Sequence, residues 1–171
     1  MSFLDPKAIV MQMPILEGDL ILDLGCGSGA YSFEIAKIYR KVKVYAIDKN
    51  RDMLDSIVHS AVMQSVTQIE TLEIDLEHRW PIESVSADHA LIINVLHACK
   101  DKVSVLSELR RVMKPHSYIV VIDWSGDTTF GPGPYAIKKD DMVQILTNAG
   151  FRIKSDIPAG HHHYGMIIEN I

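Results

Sequence analysis

An open, doubly wound and mostly parallel α/β sheet is the fold that this 171-residue sequence predicts, and three observations predict it. The first is residues 20–29, Leu-Ile-Leu-Asp-Leu-Gly-Cys-Gly-Ser-Gly, an apolar run of strand character that enters three alternate glycines and passes directly into a helical pattern (Tyr31, Ile35, Ala36, Ile38, Tyr39). The second is that strand-like and helix-like stretches alternate five times along the chain, the pattern of repeated crossover units. The third is the C-terminal end, where two strand-like runs are joined only by Pro158-Ala159-Gly160. So short a link allows only an antiparallel pair, because a parallel crossover needs a dozen residues or more.

The elements follow in order. Residues 1–17 carry Pro6 and Pro14 around Ala8-Ile9-Val10-Met11, which suggests a short helix or flap, with packing on the sheet edge as the alternative. Strand one is Leu20 to Leu24. Val42 to Ile47 is the second strand, stopping at Asp48, and Asn50 is a good N-cap for a helix with Met53, Leu54, Ile57, Val58, Ala61 and Val62 on its apolar face. The third strand spans Gln68 to Ile74 and ends on Asp75. Asp88 to Ile93 holds the continuous apolar run Ala90-Leu91-Ile92-Ile93, as expected of a strand buried on both faces. Val105, Leu106, Leu109, Val112 and Met113 mark a helix that Pro115 is expected to stop. Tyr118 to Asp123 is the fifth strand. A loop from Trp124 to Ile137 contains Gly-Pro-Gly-Pro and is long enough to suggest function. Met142 to Ala149 forms the last helix, closed by Gly150, and the hairpin Phe151–Ile157 with His163–Glu169 ends the chain.

Composition narrows the function. Hydrophobic residues make up 47% and charged residues 23%, ordinary values for a soluble globular domain, so one domain over residues 1–171 is expected. No apolar run approaches the length of a membrane helix, and the N-terminus has no signal-peptide pattern, so membrane association is not expected. The net charge of −5, with basic residues in scattered pairs, makes nucleic acid an unlikely main partner. Cys26 and Cys99 are the only cysteines and have no CxxC spacing, so neither a metal site nor a disulfide framework is expected, and the chain is assigned to the cytoplasm.

The chemistry gathers at strand ends. Asp23, Asp48 and Asp75 sit at or near the carboxyl ends of the first three strands, which form one crevice in an open parallel sheet. Asp48 lies about twenty residues past the glycines, where a carboxylate accepts from ribose hydroxyls. Asp23 puts negative charge where a pyrophosphate would be repelled and a cationic ligand favoured. Asp75 is placed to accept from an adenine amino group.

These residues resemble a known family. Asp23-Leu-Gly-Cys-Gly-Ser-Gly29, Ala46-Ile-Asp48, Ile74-Asp75, Ala87-Asp-His-Ala-Leu-Ile-Ile-Asn-Val-Leu-His97 and Arg110-Arg-Val-Met-Lys-Pro115 are similar to the class I S-adenosylmethionine-dependent methyltransferases, nearest the small type 11 group related to the ubiquinone and menaquinone C-methyltransferases. The resemblance covers roughly residues 18–171. It implies a seven-stranded sheet of order 3-2-1-4-5-7-6 with strand seven antiparallel, S-adenosyl-L-methionine as cofactor, and methyl transfer to an oxygen, nitrogen or carbon of a small molecule. It assigns Asp23 and the loop Gly25, Cys26, Gly27, Ser28 and Gly29 to the methionine half of the cofactor, Asp48 to the ribose, and Lys49 and Met53 to the adenosine. Asp75 and Leu76 fall at the adenine, and Asn94 and Val95 near the methyl group. His163 and Tyr164 are placed at the acceptor side of the pocket.

Around this frame the residues leave choices open. His97 follows strand four and is either a general base or a rim histidine, since in-line methyl transfer runs on alignment alone when no proton must leave. Trp124 is either an acceptor wall or plain packing. In His161-His162-His163-Tyr164, strand alternation would put His161 and His163 on one face, without a third metal ligand. No Asn-Pro-Pro-Tyr motif follows strand four, which argues against adenine or glutamine as acceptor, and two cysteines are too few for arsenite methylation. With a minimal substrate cap, the pocket is open, covered by residues 1–17, or completed by a homo-oligomer or partner subunit. Two rival readings are a nicotinamide-dependent oxidoreductase and a cofactor-binding partner subunit without catalysis.

Overall fold

A computed structural model describes residues 4–126 and 131–171. It has one seven-stranded sheet in the order β3-β2-β1-β4-β5-β7-β6. β1 (Leu20–Leu24), β2 (Lys43–Asp48), β3 (Ile69–Glu73), β4 (Ala87–Ile93) and β5 (Met113–Trp124) are mutually parallel. β7 (His163–Asn170) runs antiparallel between β5 and β6 (Phe151–Ile157). The expected topology is the one observed.

Buried side chains divide the helices between two faces. On one, Leu22, Leu24, Ala90, Ile92, Ile119, Val121 and Met166 pack with Leu106 and Leu109 of α4 (Lys102–Val112) and with Met142 and Leu146 of α5 (Lys139–Asn148). On the other, Ile21, Val44, Leu91, Val120 and Ile122 pack with Ile35 of α2 (Ala30–Ile38) and with Ile9 and Val10 of α1 (Pro6–Val10). Strand residues alternate between the faces, as the pleat requires. α3 (Arg51–Met63) lies beside β2 and β3, with Asn50 capping it by accepting from Asp52 and Met53.

Two details differ from expectation. The first concerns Pro115. Helix α4 ends at Val112, and Pro115 lies within β5, which begins at Met113. β5 pairs with β4 at Ala87↔Met113 and resumes at His89↔Tyr118, so Lys114 to Ser117 bulge out where a proline need not donate to the ladder. The second concerns the histidine run: β7 starts at His163, so strand alternation does not extend to His161 and His162. In the N-terminal segment the short helix is present as expected; it buries Ile9 and Val10 in the core, and its residues do not line the cleft described below. Of the long loop after β5, residues 127–130 lie outside the described residues, and Gly133–Tyr135 form a short 3-10 turn.

Candidate functional site

The glycine turn has a defined shape because four of its N–H groups, those of Gly25, Cys26, Gly27 and Gly29, are hydrogen-bonded. Gly25 N–H and Cys26 N–H both donate to the carbonyl of Ile47, at 2.8 and 2.9 Å, which fixes the turn to the end of β2. Gly25, Gly27 and Gly29 have φ of 68°, 52° and 77°, the left-handed region that side chains avoid. At Gly25 space is closed as well: a Cβ there would run into Cγ2 of Val95. That contact brings the loop after β4 directly over the turn.

Around the turn opens a cleft of ≈ 210 Å³ at the carboxyl edge of the sheet. Gly25, Asp48, Lys49, Asp75, Leu76, Asn94 and Val95 all line it, so seven of the residues expected at the cofactor converge there. Ile74, Glu77, Ala98 and Cys99 complete the walls and were not expected. Glu77 accepts the N–H of Lys100 at 2.7 Å, joining the loops after β3 and β4 behind the cleft. That bond depends on tertiary placement and left no sequence signal.

Each acid is held differently. Asp48 Oδ2 accepts Gly27 N–H at 2.9 Å and Oδ1 accepts Asn50 N–H at 2.9 Å, which aims the carboxylate between turn and α3 while leaving lone pairs on both oxygens. Asp75 Oδ1 accepts Glu77 N–H at 3.1 Å. Asp23 is not on the cleft wall. Only 3% exposed, it lies beneath the glycine turn, and its Oδ2 accepts both the N–H and the hydroxyl of Ser32. Burial, partly offset by these two bonds, raises its pKa to about 6. Burial likewise pushes the Cys26 thiol upward, so that side chain stays protonated and serves as packing. Ser28 is exposed on the turn and Gly29 packs against Ile57 and Phe33. Met53 is 43% exposed on α3 and does not line the cleft.

Asn94 is strained and incompletely bonded. Its φ is +57°, its N–H donates to Ile122 O at 2.9 Å, and its buried Oδ1 has no hydrogen-bond partner. An orphaned acceptor on a cleft wall is costly unless a donor arrives with a ligand.

Beyond Asn94 a 3-10 turn, Leu96–Ala98, separates the cleft from a second cluster. With three residues per turn, Val95 and Ala98 face the cleft, Leu96 is buried, and His97 turns toward β5. There Asp123, 1% exposed, receives His97 Nδ1 at 2.7 Å on Oδ1 and His97 N–H at 3.0 Å on Oδ2. Antiparallel pairing sets Trp124 opposite His163 and Asp123 opposite Tyr164. The Trp124 and His163 rings are in contact, with centroids 4.2 Å apart and their planes tilted by 37°. His163 Nε2 and the Tyr164 hydroxyl are both buried without a partner. Burial keeps His163 below the usual histidine range and Tyr164 above the usual phenol range, so both are neutral near pH 7. Sequence reasoning missed Asp123; the acid at the end of the fifth strand was visible, but its pairing with His97 is a long-range contact. Among the described residues no group of three or more His, Cys, Asp or Glu is arranged to hold a metal ion, and no helix is long and apolar enough to cross a membrane.

The decisive comparison is a family model described as a methyltransferase domain, which matches residues 15–156. The chain belongs to the methyltransferase domain family. Among its relatives, a demethylmenaquinone methyltransferase from Oceanobacillus iheyensis is 28% identical over 130 residues, covering 73% of this chain and 52% of that protein. An O-methyltransferase from Penicillium expansum is 27% identical over 169 residues, covering 86% and 57%. The chain thus spans about half the length of these curated relatives. Among solved structures, an S-adenosylmethionine-dependent methyltransferase from Aquifex aeolicus superposes with a TM-score of 0.90 at 26% identity, covering 99% of this chain and 91% of that one. This methyltransferase domain therefore matches a solved structure of similar length almost end to end.

Proposed function

We propose that this methyltransferase domain binds S-adenosyl-L-methionine in the cleft at the ends of β1 to β4 and transfers its methyl group, in line, to a small-molecule acceptor. The observation that carries this reading is the convergence of Asp48, Asp75 and the unpartnered Asn94 Oδ1 around the glycine turn. The donor set fits the cofactor's own: Asp48 for the ribose hydroxyls, Asp75 and Leu76 for the adenine, Asn94 Oδ1 for an ammonium or amide-like donor, and buried Asp23 as a nearby anion for the cationic half. Gly25, Gly27 and Gly29 let backbone approach the ligand, Lys49 lies on the rim, and Met53 would have to swing in to touch adenosine. The cofactor supplies an electrophilic methyl on a sulfonium, and this chain's residues supply alignment. On the acceptor side stand His97, Trp124, His163 and Tyr164. Two free cysteines suit a reducing, cytoplasmic setting.

Calorimetric titration with S-adenosylhomocysteine tests the reading. Micromolar binding that weakens by about two to four orders of magnitude in Asp48→Ala is expected, since truncation removes charge-assisted bonds to two hydroxyls, each worth about 1.5–3 kcal/mol. No binding by the wild-type protein at millimolar ligand would overturn it.

A further inference from the structure

A second hollow, of ≈ 400 Å³, opens where the start of α5 meets the start of β7, lined by Ser125, Lys138, Lys139, Asp140 and Tyr164. It is rich in unspent donors. α5 is ten residues long and its N-cap, Lys138, makes no side-chain cap bond, so the cap leaves the first N–H groups of the helix unanswered. The Lys139 ammonium is tied to Asp156 at 2.6 Å, whereas the exposed Lys138 has no ion pair among the described residues. Tyr164 is 8% exposed, and its hydroxyl is buried without a partner among the described residues. Its cross-strand neighbour Asp123 does not need that proton, because the carboxylate already accepts from His97 Nδ1, His97 N–H and Trp124 N–H, at 2.7, 3.0 and 2.9 Å. The Ser125 hydroxyl is spent on His162 O at 3.1 Å. A buried phenol proton with nothing to donate to is costly until an acceptor enters the hollow.

We propose that this hollow is an anion subsite on the acceptor side, in which Tyr164, Lys138 and the first turn of α5 hold the carboxylate or phosphate group of the molecule to be methylated. This rests on the methyl-transfer reading above. Donors of three kinds converge, and they suit oxygens that only accept, which a carboxylate or phosphate presents and an ammonium does not. The helix end adds a partial positive charge and Lys138 a full one. The place ties the subsite to the cleft: Tyr164 stands opposite Asp123, Asp123 holds His97, and Val95 and Ala98 beside His97 form part of the cleft wall. An acceptor anchored by its acid group at this end has the rest of its body turned toward the methyl donor. Asp140 opposes an anion, but it is exposed and its charge is screened by water. It keeps free anions weakly held without reversing the preference that the donors set.

Amide NMR on ¹⁵N-labelled protein saturated with S-adenosylhomocysteine tests the proposal, with sodium phosphate and sodium acetate as separate probes and sodium chloride of equal ionic strength as the control. The N–H resonances of Lys139, Asp140 and Asp141 should move with millimolar phosphate or acetate and stay put with chloride. Whichever probe saturates them at the lower concentration names the acid group the hollow is shaped for. Tyr164→Phe removes only an unpartnered hydroxyl, so its Tm should be unchanged or higher while probe affinity falls roughly tenfold. Lys138→Gln should weaken the probe by roughly threefold, and less as salt is added. Asp140→Asn should tighten it by a similar factor. Amides at 139–141 that respond to neither anion overturn the proposal, as does a response that Tyr164→Phe and Lys138→Gln both leave intact. Weaker probe binding in Asp140→Asn overturns it as well. Calorimetry on the same samples separates the two claims. Absent S-adenosylhomocysteine binding defeats the cofactor reading, whereas intact binding with any of these negative results defeats this one alone.

Discussion

Asp23 Oδ2 accepts two hydrogen bonds from Ser32, one from its backbone N–H at 3.1 Å and one from its hydroxyl at 2.6 Å, tying the end of β1 to the first turn of α2 beneath the glycine loop. The same burial that protects these bonds makes the charged carboxylate costly, and its pKa rises from 3.8 to about 6. Because the folded value lies above the unfolded one, the stabilising contribution is complete below the unfolded pKa and is lost as pH rises through the folded pKa. On the order of 3 kcal/mol is at stake. Asp23→Asn keeps an acceptor for Ser32 without a charge. It should therefore raise Tm near neutral pH and flatten the rise in stability seen on acidification, as thermal melts across that window would record.

The same carboxylate gives cofactor binding a pH dependence. A cation nearby favours ionised Asp23, so binding should expel a proton below about pH 6. Affinity for S-adenosylmethionine should fall as pH drops below that value, by up to about tenfold per unit. Calorimetry in buffers of different ionisation enthalpy should register the released proton. Asp23→Asn should bind more weakly at neutral pH and lose the trend. A pH-independent affinity in the wild type would dissociate Asp23 from the ligand.

Gly25 is the turn residue least able to change. Alanine there meets both a left-handed φ of 68° and the Val95 side chain. Gly25→Ala should destabilise by about 1–2 kcal/mol from the backbone alone and should abolish detectable S-adenosylhomocysteine binding, because the loop after β4 must retreat. Adding Val95→Ala should recover part of the stability. Gly27→Ala, with open space where the Cβ would sit, should show only the backbone cost.

Much of this site was legible in the sequence because it is built from strand termini. Asp23, Asp48 and Asp75 end or follow buried runs, and parallel pairing brings such ends together whatever the side chains are. Asn94 and Val95, which the family resemblance supplied, come directly after β4 at the same edge. What escaped notice depends on cross-element contacts with no periodic signal, such as Asp123 with His97 and Glu77 with Lys100. Pro115 misled for a physical reason: a proline stops a helix, but it also sits comfortably in a bulge, and the choice was made by pairing with β4. Met53, placed at the adenosine by the family resemblance, is 43% exposed on α3.

The segment after β3 that carries Asp75 and Leu76 has little regular structure, and Arg111 holds it. Its guanidinium donates to both oxygens of Glu108, at 2.9 and 2.7 Å, to the carbonyls of Trp80 and Ile82 at 3.0 and 2.9 Å, and to Ser84 Oγ at 3.0 Å. Glu108 in turn accepts Trp80 N–H at 2.8 Å, and Trp80 Nε1 reaches back to Leu76 O at 3.0 Å. This chain of bonds runs from α4 to the cleft wall. Arg111→Lys keeps the charge but cannot reproduce the planar fork, so it should lose most of the bonds. Arg111→Ala should destabilise by about 1.5–3 kcal/mol and weaken S-adenosylhomocysteine binding without altering any cleft residue, with denaturant melts and calorimetry as the checks. The bond to Arg111 lowers the Glu108 pKa even though burial opposes it. Since the folded value lies below the unfolded one, this contribution is present above the unfolded pKa and is lost as pH falls through the folded one. Wild type and Arg111→Ala should therefore converge in stability under acid conditions and separate as pH rises through the carboxylate range.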